Sequence, residues 1–180
     1  MTRTLIVIDL QHDFIDGPLG TPEAQAIVPN VKKKIEEYKL HGDAVIFTRD
    51  THYGKAKDIF NENEDTSYFE TNEGKHLPIK HCIYGSYGWR IPDELAFAEA
   101  QYIDKKSFGY DGWDFCDFDQ IEIVGLVTDI CVISNALIIK SLFPEADITV
   151  DGSCCAGTTP EKHRAALEVM KSCQINVIGE

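Results

Sequence analysis

The sequence predicts a three-layer α/β/α domain built on a doubly wound, mainly parallel sheet of the Rossmann-like kind. Three observations carry that prediction. Short runs rich in Val and Ile, at residues 5–8, 44–48, 121–124, 148–150 and 176–178, stop abruptly at polar residues or Gly. Continuous apolar runs of this length suit strands buried on both faces of a parallel sheet. Amphipathic stretches with helix punctuation lie between them, and strand and helix patterns alternate, which implies right-handed crossovers. The chain has 180 residues, enough for one domain with a substantial core. Without an internal repeat or low-complexity segment, residues 1–180 read as a single domain.

The first strand, residues 5–8, is ended by Asp9. Thr21 then caps a helix with Pro22 in its first turn, and Ile27, Val31, Ile35 and Tyr38 form one apolar face. Gly42 follows His41 where a C-terminal glycine belongs. The second strand leads into Asp50-Thr51-His52. Residues 53–93 break the rhythm with Asn61-Glu62-Asn63-Glu64-Asp65, several Gly and scattered aromatics. A long irregular insertion of this kind is often functional. Tyr102-Ile103-Asp104 reads as a short strand before Lys105-Lys106. After the strand at 121–124, residues 131–143 are apolar on nearly every side and stop before Pro144, which describes a helix buried inside the domain. The strand at 148–150 follows. Thr159-Pro160-Glu161 repeats the helix start signal ahead of Ala166, Leu167 and Met170, and residues 176–178 form the last strand.

The charge balance narrows the function. Lys and Arg number 17 against 30 Asp and Glu, a net charge of −13. Coating nucleic acid draws on clustered Lys and Arg, as does binding anionic membranes, so neither partner is expected. The surplus negative charge is expected on the outer surface, at 61–65, 70–73 and 111–119. No apolar run approaches the roughly 18 residues of a membrane span. Residues 5–8 are too short for a signal-peptide core, so the expectation is a cytoplasmic protein. The six cysteines include no CxxC pair and read as thiols, most of them small core residues.

In an open α/β sheet, ligands bind beyond the carboxyl ends of the strands. That rim collects Asp9, then Asp50 and His52, then Lys105 and Lys106, then Thr128, Asp129 and Cys131. Cys131 lies at the start of a helix, where the partial positive charge favours thiolate and free backbone N–H groups can hold an oxyanion. Asp9 is the candidate general base, its pKa raised by partial burial and pulled back by a nearby lysine. Asp13 and His12 sit further along the same loop and are weaker candidates. Asp50 and His52 occupy alternate positions of an extended segment and can face one side. A distant His, either His81 or His76, would complete a 2-His-1-carboxylate site for Zn, Fe or Mn. His41 and His163 read as solvated helix residues.

Five segments in this order resemble a known family: Asp9-Leu10-Gln11-His12-Asp13-Phe14, Asp50-Thr51-His52, residues 81–89, Lys105-Lys106-Ser107-Phe108-Gly109, and residues 125–132. The chain resembles the isochorismatase-like cysteine hydrolase superfamily, and within it is most similar to the nicotinamidases. The resemblance implies hydrolysis of a small-molecule amide, nicotinamide to nicotinate and ammonia, through a cysteine thioester. It implies a catalytic triad of Cys131, Asp9 and Lys105, with Lys105 set in register by Phe108-Gly109. It also implies a cis Leu126–Val127 peptide and an oxyanion hole of the Val127 and Cys131 amides. Asp50, His52 and His81 match the ligands of one divalent metal ion, zinc first, iron or manganese next. Phe14 matches an aromatic that packs on the pyridine ring, and Phe108 is assigned to substrate binding with it.

Some relatives carry a fourth protein ligand and an aromatic just before the last His. Here Leu77, Pro78, Ile79 and Lys80 precede His81, so the second wall is sought among Tyr68, Phe69, Trp89, Phe108 and Tyr110, and His76 is weighed as the fourth ligand. Family members are often homo-oligomers, and Trp89 and Trp113 are read as large aromatic surface residues compatible with that. A related amidase for carbamoyl or ureido compounds is the alternative activity. Such relatives often lack the metal-binding residues. A non-catalytic domain binding a small ligand is the remaining reading.

Overall fold

The computed structural model describes residues 3–53, 67–115 and 119–180. The acidic run at 61–65 and Cys116 lie outside the described residues. Six parallel strands form one sheet, β1 (Arg3–Ile8), β2 (Ala44–Asp50), β3 (Gln101–Lys105), β4 (Gln120–Leu126), β5 (Asp147–Ala156) and β6 (Asn176–Ile178). Their order is β3-β2-β1-β4-β5-β6. The chain winds outward from β1 through β2 to β3, then returns to the other side of β1 as β4. The switch point therefore lies between β1 and β4, where a crevice forms at the carboxyl rim.

Side chains alternate along each strand, and the two faces bury different helices. Leu5, Val7, Val45, Phe47 and Val124 pack with Ile27, Val31, Ile35 and Tyr38 of α2 (Pro22–His41), which follows the short α1 (His12–Ile15). Ile6, Ile8, Ile121, Ile123 and Val150 pack on the opposite side with Val132, Ala136, Ile139, Leu167 and Met170. Thr21 caps α2 as expected, its hydroxyl accepting from the Ala24 amide at 3.0 Å, and Gly42 ends it at φ 72°. Pro29 lies inside α2 on its exposed face, where water can satisfy the carbonyl that loses a donor. The insertion contributes α3 (Ser67–Glu70) and α4 (Asn72–His76).

The segment after β4 differs from expectation. Residues Thr128–Val132 form a π-helical turn, and α5 (Ile133–Leu142) begins after it. Cys131 thus sits within the turn and not at a simple α-helical start. Nor is α5 buried all round. Asn135, Ala136 and Ile139 are buried, while Leu142 is exposed, because the helix belongs to an outer layer. α6 (Pro160–Ser172) lies beside it, capped by Thr159 and burying Ala166, Leu167 and Met170. Trp113, read as a surface aromatic, is 6% exposed and packs in the core. No helix among the described residues is long and apolar enough to cross a membrane.

Close strand approach shapes the floor of the crevice. Gly125 has φ 117°, and a Cβ there would lie 2.1 Å from the Ile8 carbonyl oxygen. Only glycine lets β4 run this close to β1.

Candidate active site

Asp9 follows β1 with φ 45° and is fully buried. This left-handed backbone is unusual for a residue with a side chain, and Thr48 of β2 braces it. The Asp9 amide donates to the Thr48 carbonyl at 3.2 Å and to its Oγ1 at 3.1 Å. The Thr48 hydroxyl donates in turn to Asp9 Oδ1 at 2.7 Å. Lys105 ends β3 in register with Asp50. Its Nζ lies 2.6 Å from Asp9 Oδ2 and donates to the Ser107 carbonyl at 3.0 Å and to Cys131 Sγ at 3.6 Å. At that distance Oδ2 is ion-paired with the buried ammonium. Lys106 is exposed at the rim of the pocket that Cys131 also lines, its Nζ 5.3 Å from the centre of the Tyr53 ring.

Burial decides the resting charges. It pushes the Cys131 thiol well above its usual range, the Asp9 carboxylate adds to the effect, and Lys105 only partly opposes it. The expected thiolate-favouring helix start is therefore overruled, and Cys131 rests as a thiol. Burial also raises Asp9, against Lys105, with Asp50 adding to the rise. Lys105 stays charged because the Asp9 and Asp50 carboxylates outweigh the cost of burying it.

The cis Leu126–Val127 peptide is present. The Val127 carbonyl accepts from the amides of Ile130 at 3.1 Å and Val132 at 3.2 Å, closing the π turn. The turn is anchored from outside by two residues beyond β5. The Asp129 carboxylate accepts from the Thr158 amide at 2.7 Å and its hydroxyl at 2.6 Å. Thr128 Oγ1 lies 2.8 Å from His163 Nδ1. His163 is therefore not a solvated helix residue. Burial, helped by Arg164, lowers its pKa.

Beside the buried pair, Asp50, His52, Glu73 and His81 offer four ligand atoms within 4.8 Å of one another. His52 Nε2 lies 3.2 Å from Asp50 Oδ2 and 3.8 Å from Glu73 Oε2. His81 Nε2 lies 3.5 Å from the Asp50 oxygen and 3.5 Å from Glu73 Oε1. Metal–ligand bonds of about 2.0–2.2 Å place neighbouring ligands of a tetrahedron about 3.3–3.6 Å apart, so the donor set fits a small divalent ion. His81 Nδ1 faces the Ile79 carbonyl at 2.9 Å, which fixes the ring with Nε2 inward. His76, weighed as a fourth ligand, points elsewhere, with Nδ1 2.8 Å from the Asn72 carbonyl. Glu73 is instead the fourth residue of the cluster. Against burial, the hydrogen bonds of His52 and His81 hold Asp50 well below the usual carboxylate range. Burial likewise opposes charge on His81, yet Asp50 and Glu73 raise it to about 10.

Both groups open onto one pocket of about 910 Å³ whose lining includes Phe14, Phe108, Val127, Cys131 and the four candidate ligands. The Phe14 ring lies 5.5 Å from that of His81. Phe108 supplies the second aromatic. Tyr68 instead packs edge-on against His52 and His81, at 5.1 and 5.5 Å. Trp89 donates to Thr51 Oγ1 at 2.9 Å, and Tyr110 packs against Trp113 at 5.2 Å.

Three supporting residues escaped the sequence reading. Thr48 braces Asp9, Glu73 joins the histidines, and Gln11 clamps the two loops. The buried Gln11 amide donates to the carbonyls of Asp50 at 3.0 Å and Trp89 at 2.8 Å and accepts from the Asp50 amide at 2.8 Å. Gln11 was legible as the third residue of Asp9-Leu10-Gln11. Thr48 and Glu73 carried no spacing signal.

The isochorismatase domain family model matches residues 3–179. The nicotinamidase of Saccharomyces cerevisiae is 22% identical over 216 residues, covering 99% of this chain and 100% of that one. The nicotinamidase of Escherichia coli is 24% identical over 195 residues, covering 94% and 90%. Among solved structures, the pyrazinamidase of Pyrococcus horikoshii in complex with zinc superposes with a TM-score of 0.77 at 25% identity, covering 100% of both chains.

Proposed function

The chain belongs to the isochorismatase domain family, and from that premise we propose that it is an amidohydrolase converting nicotinamide to nicotinate and ammonia. One observation carries the reading: Lys105 Nζ lies within 3.6 Å of both Asp9 Oδ2 and Cys131 Sγ, beside the cluster of Asp50, His52, Glu73 and His81. The names of the yeast, bacterial and archaeal relatives support the same substrate class.

In the proposed reaction, Asp9 Oδ2 takes the Cys131 proton and the thiolate attacks the amide carbon. The Val127 and Cys131 amides receive the oxyanion, at about 2.7–4 kcal/mol for each donor. Asp9 passes its proton to the departing ammonia, leaving a thioester on Cys131. Asp9 then deprotonates water, which attacks the thioester and releases the carboxylic acid and the thiol. Lys105 keeps Asp9 ionised between steps and shields it from Asp50. A raised thiol pKa fits this order, because the nucleophile forms only when the base acts. Phe14 and Phe108 flank the ring. A divalent metal, zinc first, held by Asp50, His52, Glu73 and His81, would supply a template for the ring nitrogen. That donor set favours nicotinamide over carbamoyl compounds.

The test is ammonia release from nicotinamide, pyrazinamide and carbamoyl compounds, with and without chelator. Nicotinamide should be the preferred substrate and Cys131→Ala should abolish its turnover with the fold intact. Turnover of carbamoyl compounds alone, or near-normal activity in Cys131→Ala, would overturn the proposal.

A further inference from the structure

Asn135 is fully buried in the first turn of α5, one α-helical turn after Cys131. Its amide makes four hydrogen bonds, the full capacity of such a group. Nδ2 donates to the Cys131 carbonyl at 2.8 Å and to the Phe108 carbonyl at 3.1 Å. Oδ1 accepts from the Tyr110 amide at 3.0 Å and from Trp113 Nε1 at 3.3 Å. One side chain thus ties the backbone of the nucleophile to three points of the segment carrying the pocket aromatic.

Elsewhere the segment is tied through its backbone, with Lys105 Nζ donating to the Ser107 carbonyl at 3.0 Å, and the Phe108 side chain is its open part. Phe108 is 49% exposed, so burial alone does not fix its ring. Beside it, Ser107 Oγ donates only to the nearby Gly109 carbonyl at 2.9 Å. A Cβ on Gly109 would lie 2.3 Å from Ile138 Cδ1 of α5, so the segment approaches the helix closely at that point. A buried, fully satisfied amide fixes a unique geometry more sharply than apolar packing does.

We propose that Asn135 is a positioning residue, setting the distance between the Phe108 wall and the Cys131 thiol and so the preference for ring-bearing substrates. This rests on the roles assigned above to Cys131 and Phe108. It differs from a general stabilising role because its effect must run through Phe108.

The test is a double-mutant cycle with Asn135→Asp and Phe108→Ala in the full-length protein. The Asp variant keeps the acceptor face and loses donors to the two carbonyls. Two readouts are taken: KM and kcat for nicotinamide, and the rate of Cys131 alkylation by N-phenyliodoacetamide relative to iodoacetamide. Asn135→Asp should raise KM and lower the aromatic-to-small alkylation ratio by about three- to tenfold, the size of one or two lost hydrogen bonds. In the Phe108→Ala background the same change should have less than about a twofold effect, because contacting residues are not additive. If Asn135→Asp fails to fold, Trp113→Phe removes one donor to the same amide and should move both readouts in the same direction. Equal penalties in both backgrounds, or an unchanged ratio, would overturn the proposal. Wild-type protein inert toward nicotinamide would sink the nicotinamidase reading instead, while the alkylation ratio still decides the role of Asn135.

Discussion

Replacing Lys105 with Met removes the ammonium and keeps most of the side-chain volume. The site left behind holds Asp9 and Asp50 without their shared cation, which stands 2.6 Å from one and 3.8 Å from the other. Coulomb attraction at an effective dielectric of about 20 over the shorter distance gives a ceiling of roughly 6 kcal/mol. Stranding one member of a buried pair usually costs about 3–5 kcal/mol. Lys105 is 2% exposed and Asp9 is fully buried, so solvent screening takes little off this figure. Asp9 escapes by keeping a proton, and the pH dependence follows. Its ordinary value is 3.8, and in the variant the folded value is raised further above it. Below about pH 4 both folded and unfolded chains carry the proton and the penalty is small. As pH rises the unfolded chain ionises while the folded one does not. Burial already raises Asp9 in the wild type, so the gap between the two proteins opens only above that raised value; it then grows by up to about 1.4 kcal/mol per unit, with a ceiling of about 4 kcal/mol at pH 7. Thermal unfolding at pH 4, 5.5 and 7 measures it. The melting temperature should fall below wild type by up to about 8–16 °C at pH 7 and by much less at pH 4. A protonated Asp9 is also no base, so ammonia release at pH 7 should fall by about 10²–10⁴-fold. A gap independent of pH, or activity within threefold of wild type, would refute the argument.

Asp9→Asn should lower ammonia release nearly as far as loss of the thiol, and a mild effect would point to another base. Purified protein should carry about one equivalent of divalent metal by elemental analysis, lost in a His52→Ala, His81→Ala double variant and weakened by about 10–100-fold in Glu73→Gln; metal retained in the double variant would refute the assignment. Asp151 is held below its ordinary value by Lys34 and Ser153, against burial. Its contribution to stability is therefore present above about pH 4 and lost as pH falls through its lower folded value. Asp151→Asn should flatten that acid limb in chemical unfolding, and an unchanged acid limb would show that the contribution lies elsewhere.

Much of the fold was legible because strand burial on both faces leaves a continuous apolar signature, as at residues 5–8 and 121–124, and because helix caps are local. Thr21 and Gly42 needed only their neighbours to be read. The turn around Cys131 was misread as an α-helical start because it is anchored through Thr128 and Asp129 to residues distant in sequence, His163 and Thr158. His163 was misread for the same reason: its partner, Thr128, is 35 residues away. Trp113 looked exposed because its environment comes from Asn135 and Phe115 and not from a periodic pattern.

By itself the sequence determined the class of chemistry. Asp9, Asp50, Lys105 and Cys131 had to meet once each was placed at the carboxyl end of a parallel strand, since parallel strands bring those ends to one rim. The net charge of −13 argued against nucleic acid partners but did not foretell the locally balanced site around Lys105. Only the tertiary structure showed the burial that keeps Cys131 a thiol, the place of Glu73 and not His76 beside the two histidines, and the tie between Asn135 and the pocket wall. Each of these depends on distance and burial among residues far apart in the chain, and local spacing carries no record of either.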